Sequence, residues 1–483
     1  MNQSVNTSMT DSYIYPYNLN YILKIIAAVN VLMVVLISCL YFWGDNLAYL
    51  APWVIVLAAL TFSLRCLVKQ DSLGRLVSSV SLFSFFMLSL VGFVSVMSYS
   101  HAYGLAFAPY DDDSYYFINI ADIAYGHLPN SYTLYELLMA PFFYLFKSIN
   151  QEVSALSLLP VNWALGGAIM GLATYLSAKL SGRISLLAPI ALLVNFHFVD
   201  ATVHLYRDGL ALFLTLLCVI YAMRKQYFIA VVIAVLTGLT RGGNGIFCFL
   251  YIIIYFIYEL GWLQRFDKKA IIACLSILIL FVMIDYAAKL SVYGRAFIIG
   301  TDIVERTTIL DRALMRGENL VFDSGANEFD TIRTLYTSGP LGIVAIPFAN
   351  MFSPARWTGF RQDVDVKVRT GDVIGTQSVQ RPVLVFMLVT ILLWPLIGPS
   401  LVQGLVCSVR NDKFYFLVIF LATLIGISLI SFQSRHRTAF IIFFPCLVSL
   451  ASWQSSKDFK RRLWLMLFFI GLIFTANIVP FII

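Results

Sequence analysis

Charge is what this chain has least of. Only 12% of its 483 residues are Asp, Glu, Lys or Arg, against 60% hydrophobic, and a mean hydropathy of +0.83 lies far outside the soluble globular range. Strand-like alternation is missing too, which excludes a transmembrane barrel. No CxxC or Cys/His spacing suggests zinc. The seven cysteines, Cys39, Cys66, Cys218, Cys248, Cys274, Cys407 and Cys446, fall in apolar runs or at their inner ends, so none is placed for a disulfide in an outer loop. Residues 1–20 hold no Lys or Arg and no small-residue cleavage pattern follows the first apolar run, so that run reads as a retained span rather than a signal peptide. Solenoid repeats, low-complexity tracts and a soluble domain are absent as well.

What is present is a series of apolar runs, each long enough to cross about 30 Å of hydrocarbon as a helix. The pattern predicts an all-α, polytopic integral membrane protein with about 13 spans: 21–43, 48–68, 76–98, 155–178, 184–203, 209–223, 226–240, 243–263, 270–288, 382–406, 414–432, 438–453 and 463–483. Lys and Arg collect in every second connection, at Arg65, Lys69 and Arg75, at Lys179 and Arg183, at Arg224 and Lys225, at Arg265, Lys268 and Lys269, at Arg410 and Lys413, and at Lys457 to Arg462. With the N-terminus cytoplasmic, the positive-inside rule holds throughout. The net charge of +7 is thereby explained without nucleic acid. The chain divides into 1–98 (tail and spans 1–3), an outer loop 99–154, spans 4–9 over 155–288, a large outer loop 289–381, and spans 10–13 over 382–483.

Both outer loops are too long for turns, and long ordered loops are where function concentrates. Each holds an apolar piece too short to span, "TLYELLMAPFFYLF" at 133–146 and "GPLGIVAIPFANMF" at 339–352, suited to interfacial helices. The outer basic residues are mostly Arg, among them Arg207, Arg241, Arg295, Arg306, Arg356, Arg361, Arg435 and Arg437. Topology needs only positive charge, whereas the planar guanidinium matches phosphate and carboxylate oxygens in pairs. Pairing with the loops' own carboxylates, or interfacial snorkelling, is the plainer alternative. Arg207, Arg241 and the Arg435/Arg437 pair sit at span ends, where charge is costly. Gly242, Gly243 and Gly245 after Arg241 suggest a tight turn whose NH groups could hold an anion.

The first outer loop opens with three adjacent carboxylates, Asp111, Asp112 and Asp113, in "DDDSYYFINIADIAY". They can cap a short amphipathic helix, hold a divalent cation through Asp111 and Asp113, or supply a general base. Tyrosines crowd the run, including Tyr115 and Tyr116, and flat amphipathic rings suit the interface and the faces of sugars. His127, His204, Asp208 and His436 are candidate supporting residues. A lipid-phosphate-linked saccharide would meet such a surface with both its phosphate and its hydroxyls.

These residues give the chain a resemblance to bacterial polytopic glycosyl-transfer proteins of surface-polysaccharide assembly. "DDDSYYFINIADIAYGHLPNSYTLYELLMAPFF" is similar to the acidic, aromatic first outer loop of C-type glycosyltransferases, which implies a catalytic Asp within 111–113; three spans precede the loop here, where family members usually have one. "LYRDGLALFL", "LTRGGNG" and "SRHRTAFIIFFP" resemble the Arg-bearing segments of O-antigen and exopolysaccharide polymerases, which implies phosphate-binding roles for Arg207, Arg241, Arg435 and Arg437. The resemblance implies glycosyl transfer from a polyprenyl phosphate or pyrophosphate donor at the outer face of the bacterial cytoplasmic membrane. Polymerisation of repeat units is the first expectation and single-sugar transfer the second. The polymerase reading also admits a chain-length regulator protein as partner. A flippase for the same lipid-linked sugars is the alternative of another class, but nearly charge-free span centres and unmatched halves fit it less well.

Overall fold

The computed structural model describes residues 19–43, 47–69, 71–103, 112–129, 132–150, 153–290, 346–347, 351, 361–367, 373–380, 382–410, 412–430, 437–451 and 456–477. Helices α1 (Leu19–Trp43), α2 (Leu50–Leu67) and α3 (Ser72–Tyr103) precede the long loop 99–154. That loop carries α4 (Asp112–Ala124) and α5 (Leu134–Asn150). The body continues through α6 (Ala155–Ser181), α7 (Leu187–Leu193), α8 (Phe196–Val203), α9 (Asp208–Met223), α10 (Tyr227–Thr240), α11 (Gly242–Glu259) and α12 (Lys268–Leu290). In the long segment 289–381, β1 (Arg361–Lys367) and β2 (Val373–Gln380) form an antiparallel hairpin, pairing Arg361 with Gln380 and bulging at Val366/Lys367. After it come α13 (Val385–Arg410), α14 (Phe414–Ile430), α15 (Thr438–Ile441), α16 (Phe444–Leu450) and α17 (Ser456–Asn477).

Among the described residues six helices are long and apolar enough to cross a membrane, or seven if the bent pair α8 and α9 is one span. Of the remaining expected spans, 209–223, 226–240 and 414–432 coincide with shorter helices, and 184–203 and 438–453 with broken ones. The run 184–203 is two short helices rather than one. Asn195 stops the first and caps the second, its Oδ1 accepting from the His197 N–H at 3.1 Å, as an N-cap side chain does. The backbone groups freed at this break are met by α13: Thr390 Oγ1 accepts from the Phe196 N–H at 2.9 Å and lies 2.6 Å from the Val194 carbonyl oxygen. The run 438–453 also breaks, at Ile442–Phe443 between α15 and α16. Of the short apolar piece 339–352, only Ile346, Pro347 and Met351 are described, and they are helical.

Helix α6 is the central post. It packs along α3 and touches α2, α5, α7, α8, α9 and α16, and its residues Trp163, Ile169, Met170 and Leu176 are wholly enclosed. A Ser154/Ser157 capping box starts it and Gly182, at φ 65°, ends it, as such motifs do. Close approach elsewhere depends on missing side chains. A Cβ on Gly404 of α13 would lie 2.0 Å from the Leu447 carbonyl oxygen of α16. By contrast α1 and α2 present Val31, Leu32, Val35, Phe62 and Leu67 outward, a contiguous apolar surface that suits lipid.

Candidate functional site

The site is built where α8 turns into α9. These helices meet at 115°, and between them His204 to Tyr206 cannot make helical hydrogen bonds. Backbone polar groups so buried need other partners, and three side chains provide them. On α6, Trp163 Nε1 donates to the Val203 carbonyl at 3.1 Å, and Asn162 Nδ2 donates to those of His204 at 2.6 Å and Tyr206 at 3.1 Å. On α4, Asp113 Oδ1 accepts from the Leu205 N–H at 2.6 Å.

The same carboxylate engages a side chain. Asp113 Oδ2 lies 2.8 Å from His204 Nδ1, with both residues buried. The far ring nitrogen, Nε2, lies 3.7 Å from Asp200 Oδ1, one turn earlier on α8. The imidazole stacks on Tyr206 at 5.2 Å between centroids and meets the edge of Tyr99 at 6.4 Å. Two carboxylates thus bracket one imidazole, and the shorter contact fixes its orientation. Behind it, the Tyr135 hydroxyl donates to Asn162 Oδ1 at 3.0 Å. Burial, reinforced by the nearby Asp113 charge, pushes the Tyr135 phenol well above its ordinary pKa, so it remains a neutral donor. Tyr135 is held in turn by Tyr116, 5.8 Å away, and by the start of α5, where Glu136 Oε2 accepts from the Thr133 N–H at 3.0 Å.

The expected site residues divide into three groups. Around the α8–α9 bend the fold gathers Asp113, His204, Asp208, Arg207 and Arg241, while Arg437 stands by the start of α8. Arg207 is half-buried at the N-cap of α9. Asp208 is ion-paired with Arg241, whose side chain is largely buried. Arg437, 8% exposed, precedes α15, which packs on α8, and its charge acts on His197. His197 is also buried, and among the described residues no hydrogen bond reaches its Nδ1. A second group stands apart. His127 is exposed beyond the far end of α4, separated from Asp113 by roughly 18 Å of helix. Tyr115 is exposed, whereas Tyr116 belongs with the first group, packed in the core against Tyr135. The third group, Asp111, Arg435 and His436, lies outside the described residues, while Asp112 opens α4.

Two expectations change in detail. Asp113 ties α4 to the bend, more than ninety positions along the chain. Arg241, for which the sequence suggests a phosphate-binding role or interfacial snorkelling, is ion-paired with Asp208 of the chain itself. Gly245 serves helix packing, since a Cβ there would fall 2.5 Å from Gly238 Cα, and both the Asn244 and Gly245 N–H groups donate to the Arg241 carbonyl. The Asp113 oxygens face the Leu205 N–H and His204 Nδ1, and Asp111, the other carboxylate of the divalent-ion reading, lies outside the described residues. Asn162, His197 and Asp200 are additions to the expected set. Their signal was present: Asp200 and His204 stand four apart, one helical turn, in an apolar segment, and Asn162 interrupts another.

No family model matches the chain, and no curated protein matches it at a significant level.

Proposed function

We propose that the chain is a glycosyltransferase of the bacterial cytoplasmic membrane, with about 13 crossings and a cytoplasmic N-terminus. In this reading it polymerises polyprenyl-pyrophosphate-linked saccharide repeat units at the outer face. The observation that carries the proposal is the buried pair of Asp113 and His204 at the α8–α9 bend, with Asp200 facing the far nitrogen. An imidazole held by one carboxylate and faced by another is suited to accept a proton. The acceptor hydroxyl would lose its proton to this pair while its oxygen forms the glycosidic bond. The bond from the anomeric carbon to the phosphate oxygen would break, and the pyrophosphate would leave with the electron pair. Arg207 and Arg437 would meet the departing charge; Arg241, paired with Asp208, would fix the surrounding helix ends. The early acidic loop supports single-sugar transfer as the second reading, because Asp113, whose side chain alone of the run is described, reaches the bend.

Single Asp113→Asn, His204→Gln and Asp112→Asn variants in the native host, matched for membrane level, test the proposal by the surface polysaccharide they leave on a gel. Collapse of a long ladder to single-repeat material in the first two, with Asp112→Asn unaffected, is the expected result. Loss of every surface band selects the single-sugar reading, and a wild-type ladder in Asp113→Asn and His204→Gln removes the proposal.

A further inference from the structure

Away from the bend, the ends of α1, α2 and α3 enclose an open cavity of about 980 Å³. Its position follows from sequence order: the start of α1, the end of α2 and the start of α3 share one end of the helices. Each contributes a cation, respectively Lys24, Arg65 and Arg75, all exposed. Ser78 and Ser79 add hydroxyls beside Arg75, and among the described residues no carboxylate lines the cavity. Asp71, just before α3, is occupied with its own helix, its Oδ1 accepting from the Gly74 N–H at 2.7 Å. Leu23, Leu64 and Leu82 form the apolar part of the wall.

We infer that this cavity binds the phosphate headgroup of an anionic lipid, with the acyl chains running along α1 and α2. Basic residues grouped between membrane helices on the cytoplasmic side recognise phosphate headgroups, and two Arg forks with a Lys suit its oxygens. Positive-inside topology accounts for cations on this face, but not for their meeting in one cavity. Lys69, Lys268 and Lys269 serve topology equally well and do not line it. The lipid is favoured over a soluble phosphate by the setting. The window of α1 that would span the membrane is only 17% buried and that of α2 22%, so their outward apolar faces are open to acyl chains beside the cavity. The inference is independent of the proposed glycosyl transfer, and it concerns the opposite end of the helices.

The test uses the purified full-length chain and phosphatidylglycerol, with phosphatidylcholine as the zwitterionic control, counting retained lipids by native mass spectrometry. The Arg65→Gln/Arg75→Gln variant should retain phosphatidylglycerol roughly tenfold less well or worse, from the attraction lost with two cations. The Lys268→Gln/Lys269→Gln variant should behave as wild type. Both should elute as single species with unchanged melting temperature. Equal losses in the two variants, or full retention without the arginines, would overturn the inference. Chemical modification of Arg65 and Arg75 separates the sources of phosphate: protection by phosphatidylglycerol supports a lipid, and protection by inorganic phosphate alone overturns it.

Discussion

Asn162 is the cheapest place to test whether the α8–α9 bend is held as described. Its side chain has no exposure and makes three hydrogen bonds, accepting from Tyr135 and donating to two carbonyls of the bend. Replacement by Leu keeps the branched outline, with somewhat more bulk, but leaves the His204 and Tyr206 carbonyls and the Tyr135 hydroxyl without this partner. Each stranded buried group costs about 1–3 kcal/mol; because neighbours relax together, the total should be about 3–5 kcal/mol rather than the full sum. At about 2 cal/mol/K per residue of unfolding entropy, a unit of this size would melt a few degrees lower. The local effect is sharper. The Leu205 amide is held by Asp113 in a strand of chain whose register Asn162 fixes, so hydrogen exchange over 203–208 should accelerate far more than over the core of α6. Thr61→Ala, which removes an exposed hydroxyl bonded to its own helix at Leu57, is the control. If Asn162→Leu melts with the wild type and leaves exchange over 203–208 unchanged, the bend is not supported by these bonds.

Other consequences follow from single contacts. Asp208→Asn and Arg241→Gln should each destabilise by about 3 kcal/mol or more, because each strands a mostly buried charge, and the double variant should recover part of that loss in a thermal double-mutant cycle. Gly404→Ala should lower folded yield and melting temperature, by about 1–3 kcal/mol of overpacking, since the neighbouring atom is backbone that cannot rotate away. At the opposite face Asp412 accepts a hydrogen bond from Arg265 at 2.6 Å, which holds its carboxyl below the ordinary value. That contact contributes fully above the ordinary carboxylate pKa of about 3.9 and is lost as pH falls through the depressed one. Its titration, followed by isotope-edited infrared, should move up toward the ordinary value in Arg265→Gln.

Helix positions were legible in the sequence because apolar runs and positive-inside punctuation are local signals. The acidic run with its aromatics likewise marked out α4. The breaks were not legible: the one at Asn195 depends on Thr390, nearly two hundred positions away, and without that hydroxyl the run 184–203 reads as one span. The hairpin at 361–380 follows residues with no clean alternation. At the site, the sequence singled out Asp113, His204, Asp208 and Arg241 but not their pairing, because contacts between distant positions leave no mark on periodicity. His127 looked equivalent to His204 for the same reason; a full helix length separates it from the carboxylate. Asn162 could have been found by asking why an amide interrupts an apolar helix.

The central claim is that Asp113 and His204 take the acceptor proton. It is tested most directly by single-turnover transfer in proteoliposomes with a polyprenyl-pyrophosphate-linked saccharide, comparing wild type with Asp113→Asn. The asparagine can still accept from the Leu205 N–H, so matched melting temperatures isolate chemistry from folding. The account predicts transfer slowed by about 10² to 10⁴, the usual worth of a positioned base. Transfer within a few-fold of wild type would contradict it.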